Sequence, residues 1–111
     1  MDAENPAPFV CRRDALTPLE RARHAELTAR LVDSVRRLEA LPNGWELSFD
    51  DEPEVGRRLV EWMARERRCC PFLEFEIRLG EPGEPAVLRL TGPPGVRDFI
   101  AAELGLEPIA R

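Results

Sequence analysis

The sequence predicts a small α+β domain, a three-stranded antiparallel sheet with helices packed on one face, in the order α-β-α-β-β-α. Three observations lead there. Long stretches carry apolar residues at three- and four-residue steps, short runs alternate apolar with polar residues, and turns rich in Gly and Pro separate them. At 111 residues with 43% hydrophobic content, the chain suits one domain around one core. The expected division is a flexible arm over residues 1–16, a domain over 17–106 and a tail over 107–111.

In the arm, Pro6 and Pro8 precede a short Phe9-Val10-Cys11 segment. Thr17 then caps the first helix, Pro18 suits its first turn, and Glu20 completes a capping box. Leu27, Leu31, Val35 and Leu38 recur at helical spacing with Leu19 and Leu41 near the ends. This predicts a helix running to Leu41, stopped by Pro42-Asn43-Gly44.

Trp45, Leu47 and Phe49 alternate with Glu46 and Ser48 as a half-buried strand. The acidic run Asp50-Asp51-Glu52 with Pro53 opens a second helix. Val55, Leu59, Trp62, Met63 and Glu66 form its stripe, which runs on to Cys69 or Cys70. Pro71 disfavours helical geometry at Cys70 and ends it there. Strands over 72–79 and 86–91 pair as a hairpin through Gly80-Glu81-Pro82-Gly83. Val96, Phe99, Ile100 and Leu104 mark a last helix, with Gly105 past its end and Leu106 placed for the accompanying apolar contact. Trp45, Trp62 and Phe72 suit a core or a homodimer face.

Composition narrows the function classes. Charged residues make up 33% of the chain, with a net charge of -5, so no nucleic-acid partner is expected. All 16 basic residues are arginine, a bias that GC-rich coding produces, so arginine abundance carries no functional argument. No apolar run approaches the roughly 18 residues a membrane helix requires. The acidic start lacks the basic region of a secretory signal. A cytoplasmic setting with reduced thiols is expected, three cysteines being too few for a disulfide scaffold.

The chemistry concentrates in Glu66-Arg67-Arg68-Cys69-Cys70-Pro71-Phe72. Thiolates are preferred ligands of Cu(I), Hg(II) and Zn(II). Neighbouring helical side chains diverge by about 100°, so both sulfurs meet one ion only if the backbone leaves the helix, as Pro71 encourages. Cys11 is the third sulfur in the chain, with His24, Glu61 and Glu66 as further candidates to complete a shell. Arg65, Arg67 and Arg68 favour thiolates, whereas a helix C-terminus opposes them. Against this stands plain packing, because free cysteine behaves as a small hydrophobe. His24, on an amphipathic helix, reads as a solvated residue. Glu61 and Glu66, five apart, make a poor acid/base pair. Thr91-Gly92-Pro93-Pro94-Gly95 reads as a turn, its two prolines lacking amide donors.

The core from Glu66 to Phe75, the segment Leu88-Arg89-Leu90-Thr91-Gly92-Pro93-Pro94-Gly95 and the upstream Leu41-Pro42-Asn43-Gly44 resemble a family of small bacterial proteins. Its members share an E-R-x-C-C-P-F-x-x-F core, an L-x-L-T-G-P-x-G segment and an N-terminal cysteine before a long first helix. The resemblance spans Cys11 to Leu104. It implies association with heavy-metal-responsive genes and the handling of mercury or copper, carried to Cys11, Cys69 and Cys70 alone. The expected function is soft-metal binding through Cys69 and Cys70, with Cys11 as third ligand, for sequestration, delivery or sensing. The alternative is a partner-binding or regulatory domain with structural cysteines. A thiol enzyme is least favoured, for want of a convincing histidine partner.

Overall fold

The computed structural model describes residues 9–106. The parts of the expected arm and tail over 1–8 and 107–111 lie outside them. The described chain is α+β, with three α-helices and a four-stranded antiparallel sheet. Helix α1 spans Pro18–Asp33, strands β1 and β2 span Val35–Leu41 and Gly44–Phe49, and α2 spans Val55–Cys69. Strands β3 (Glu74–Arg78) and β4 (Ala86–Thr91) and helix α3 (Val96–Leu104) complete it. The sheet order is β1-β2-β4-β3, two hairpins joined side by side through their second strands.

The expected first helix is therefore too long and the expected sheet one strand short. The capping box forms as read, with the Glu20 amide donating to Thr17 Oγ1 (3.1 Å) and the Thr17 amide to Glu20 Oε1 (2.9 Å). The helix stops at the Ser34 cap, and the next seven residues form β1, which pairs with β2. The three-residue spacing of Val35 and Leu38 mimics a helix because the pairing shifts register between Val35 and Arg37. A bulge of this kind puts an extra residue into one strand, so positions three apart share a face. Leu19, assigned to the helix stripe, is 82% exposed.

Pro42 and Asn43 form the tight turn of the first hairpin, Leu41 pairing with Gly44. Gly44 is required by close approach, since a Cβ there would run into the Leu90 carbonyl of the neighbouring strand. Helix α2 begins at Val55, after the acidic run rather than within it. At the end of α3, Gly105 takes a left-handed conformation. The Leu106 amide donates to Ala101 O (2.8 Å) and the Gly105 amide to Ala102 O (3.4 Å), a Schellman closure that seats Leu106 in the core.

One sheet face is apolar. Leu38, Leu47, Leu88 and Ile77 align across the four strands, as do Ala40, Trp45, Leu90 and Phe75. Leu47, Leu88 and Leu90 are fully buried there with Trp62 and Leu59 of α2 and Val96 and Ile100 of α3. Helix α1 packs on α2 and α3 through His24, Leu27 and Leu31. The opposite face carries a row of Glu39, Glu46, Arg89 and Glu76. Among the described residues, no helix is long and apolar enough to cross a membrane.

Candidate thiolate site

The site lies where α2 ends. Cys69 is its last residue, and Cys70 leaves the helix at φ -123° and ψ 73°, its amide still donating to Glu66 O (2.7 Å). Pro71 thus ends the helix where the sequence predicts. The exit turns the two cysteines apart. Cys70 is fully buried and joined to Cys11 as a disulfide, with Cα atoms 4.8 Å apart. The expectation of unpaired thiols is corrected here.

From Phe9 onward the arm packs against the end of α2 and against α3. Phe9 packs on Phe72 and Phe99, with ring centroids at 5.3 and 5.9 Å. The Arg12 amide donates to Cys69 O (2.7 Å), and Arg68 Nη2 donates to Ala15 O (2.9 Å). A short 3-10 turn, Arg13–Ala15, leads to the buried Leu16. Aromatic packing, two backbone anchors and the sulfur link hold Cys11 against the end of α2.

Each sulfur has a carboxylate beside it. Cys70 Sγ lies 3.5 Å from Glu66 Oε2, and Cys11 Sγ lies 3.6 Å from Glu103 Oε2. When the pair is reduced, each S–H has an acceptor within sulfur hydrogen-bond range. Glu66 is itself held by His24, whose Nε2 is 2.7 Å from Oε1. A ring N–H at Nε2 donates to this carboxylate. Nδ1 is buried and has no hydrogen-bond partner among the described residues.

Packing fixes the histidine. Its ring stacks over Trp62 with centroids 6.0 Å apart and planes at 20°. Trp62 Nε1 donates to Thr28 Oγ1 (3.0 Å), which donates in turn to His24 O (2.8 Å). His24 is therefore a buried residue, correcting its reading as a solvated one. The signal was available, because His24, Leu27 and Leu31 follow helical spacing on one face.

Among the described residues, one group of three potential metal donors converges, Cys11, Cys70 and Glu103, with ligand atoms within 4.8 Å of one another. Cys69 is not in that group, although it lines the same cleft. Nor is Glu61, which pairs with Arg65 (2.9 Å) and Arg23 (3.3 Å) across α1 and α2. Those guanidiniums, Arg65 first and against the effect of burial, hold the Glu61 carboxyl below its ordinary 4.5. Glu103 escaped the sequence reading. It lies 92 positions from Cys11, and an acidic residue near the end of a short helix carries no local mark of such a role.

A cleft of about 480 Å³ opens beside these groups. Cys11, Arg21, His24, Glu66, Cys69 and Glu103 are among its walls. The exposed Ala25 and Ala29 of α1 face Ala102 of α3 across it. No family model, curated protein or solved structure matches the chain.

Proposed function

We propose that this protein binds one soft metal ion of the mercury or copper class through Cys11 and Cys70, with Glu103 as an additional donor, for sequestration, delivery or sensing. The observation that carries this reading is the convergence of two sulfurs and one carboxylate from three distant parts of the chain. The ion is cargo, and the disulfide must first be reduced to the dithiol.

Two thiolates suit ions that accept low coordination numbers, and sulfur donors favour Cu(I) and other thiophilic metals. Zinc fits less well, since its structural sites require four ligands. Metal capture releases the thiol protons. Glu66 Oε2 and Glu103 Oε2 stand where those protons are shared before release. His24 orients Glu66, as partners of ligand-adjacent groups commonly do.

In this reading Cys69 contributes through its backbone carbonyl. Buried beneath the arm with its carbonyl anchoring Arg12, it serves the closure that presents Cys11 to Cys70. The fully reduced protein, titrated anaerobically with Hg(II), Cu(I) and Zn(II) against a strong thiol competitor and read by native mass spectrometry, tests the assignment. One retained Hg(II) or Cu(I) is expected in the wild type and in Cys69→Ser, and none in Cys11→Ser or Cys70→Ser. Failure of the reduced wild type to hold any ion would leave a partner-binding domain whose disulfide merely straps the arm.

A further inference from the structure

We propose that strand β3 is a dimer edge, pairing antiparallel with β3 of a second copy of this chain about a two-fold axis at Ile77. The inference uses none of the sulfur or carboxylate groups of the metal reading and stands apart from it.

The two edges of the sheet differ. At one, β1 carries the register shift between Val35 and Arg37, and Arg37 Nη2 lies 3.8 Å from Glu39 Oε2 of its own strand. Bulges and charged side chains are devices that keep an edge from pairing. At the other, β3 runs in unbroken register with β4 from Glu74 to Arg78 and contains no proline. No strand lies on its far side among the described residues. Such an edge offers backbone donors and acceptors to any strand that matches it.

This edge matches its own reverse. Antiparallel pairing about Ile77 sets Glu76 opposite the partner's Arg78, Phe75 opposite the partner's Leu79 and Ile77 opposite the partner's Ile77. Two-fold symmetry makes each unlike pair occur twice. Opposite charges directly across a ladder attract, and apolar pairs on the other face add contact. Centring on Glu76 instead sets that acid against the partner's Glu76, and a slip of one residue turns the faces over. Charge and pleat thus select one register. Glu76 and Arg78 are both exposed, and neither forms an ion pair among the described residues. Arg89, across the ladder from Glu76, has its guanidinium on Glu46 at 2.7 Å.

The apolar side of the same edge is incompletely covered. Phe75 and Ile77 face the core but are only partly buried, and Phe75 meets the buried Trp62 edge-on with ring centroids 6.0 Å apart. Leu79, just past the strand, is 58% exposed, and Val60 of α2 is 51% exposed. Leu79 lies close over Gly56, where an added Cβ would stand 2.9 Å from Leu79 Cδ1. Val60 is one helical turn beyond Gly56, so both exposed side chains lie where α2 borders β3. A second copy sets its Phe75 against Leu79 and continues the sheet across the axis.

The test is sedimentation velocity of the oxidised, metal-free chain over a range of concentrations, with circular dichroism to check folding. Wild type should pass from monomer to dimer as concentration rises. Glu76→Arg and Arg78→Glu each set like charges together in both symmetry-related pairs. Each should weaken the dimer about tenfold, equivalent to about 1.4 kcal/mol. An equimolar mixture of these two variants should dimerise as wild type does, because every pair between them again joins opposite charges. So should the double variant Glu76→Arg, Arg78→Glu, which keeps the test open where a single variant fails to fold. Leu79→Glu, an exposed substitution off the charged face, should weaken the dimer by a similar factor. A chain that stays monomeric throughout would overturn the proposal and leave the edge to a strand of another protein. A dimer indifferent to both charge reversals, or a mixture no tighter than its components, would overturn it equally. None of these outcomes bears on the metal titration, which reads the reduced sulfurs.

Discussion

Two contacts in this molecule have the same length and opposite settings. His24 Nε2 lies 2.7 Å from Glu66 Oε1, with side chains 11% and 4% exposed. Arg89 Nε lies 2.7 Å from Glu46 Oε1, with side chains 46% and 19% exposed, on the outward face of the sheet. Distance alone would rank them equally. Burial separates them, because a charged or polar group taken from water must be compensated by its partner, whereas an exposed pair exchanges one solvated state for another. The exposed contact still acts locally, since Glu46 first, then Glu76 and Glu39, raises the Arg89 pKa above its ordinary value. The buried contact reaches further, since Glu66 also touches Cys70 Sγ and so ties the helix-helix interface to the sulfur chemistry.

The sharpest way to probe the buried side is to release the strap. Reduction of Cys11–Cys70 removes a cross-link between positions 59 apart, and the chain-entropy model gives about 4 kcal/mol for a loop of that size. Urea denaturation of oxidised and reduced protein should show that loss, and equal midpoints would mean that Phe9 and Arg12 hold the arm by themselves. Glu66→Ala comes next, at about 2 kcal/mol, because it leaves the buried His24 Nε2 without its partner. A change below about 0.5 kcal/mol in that variant would mean water already compensates the pair.

Thr17→Ala removes one capping bond at the exposed start of α1 and should cost about 1 kcal/mol. Arg89→Ala should leave the urea midpoint close to that of wild type, with a small difference that shrinks as salt is added. If Arg89→Ala matched Glu66→Ala in urea, burial would not be what separates the two contacts. The weakest effect is a pH dependence at Glu61. Its folded pKa lies below the ordinary 4.5, so its contribution is present above that value and is lost as pH falls through the folded value. Urea midpoints at pH 6 and pH 3 should therefore differ slightly less in Glu61→Gln than in wild type.

The sequence by itself determined the local grammar. The Thr17 box, the strand alternation around Leu47, the stop at Pro71 and the Gly105 closure each depend on a few neighbouring residues, and each stands where their chemistry requires. The stripe ending in Glu66 also marked that acid as inward-facing before any fold was known. What lay beyond its reach was set by neighbours remote in the chain. Val35–Leu41 is a strand because β2 supplies a partner and a bulge adjusts the register, which no helical periodicity can report. The partner of Cys70 is Cys11 rather than its vicinal neighbour, because Phe9 and the Cys69 carbonyl hold the arm where the exposed backbone of the helix end needs donors. Glu103 joins them only when α3 folds back beside the arm. Local interactions are encoded within a few residues, whereas a site built from positions 11, 70 and 103 exists only after packing has closed the loops between them.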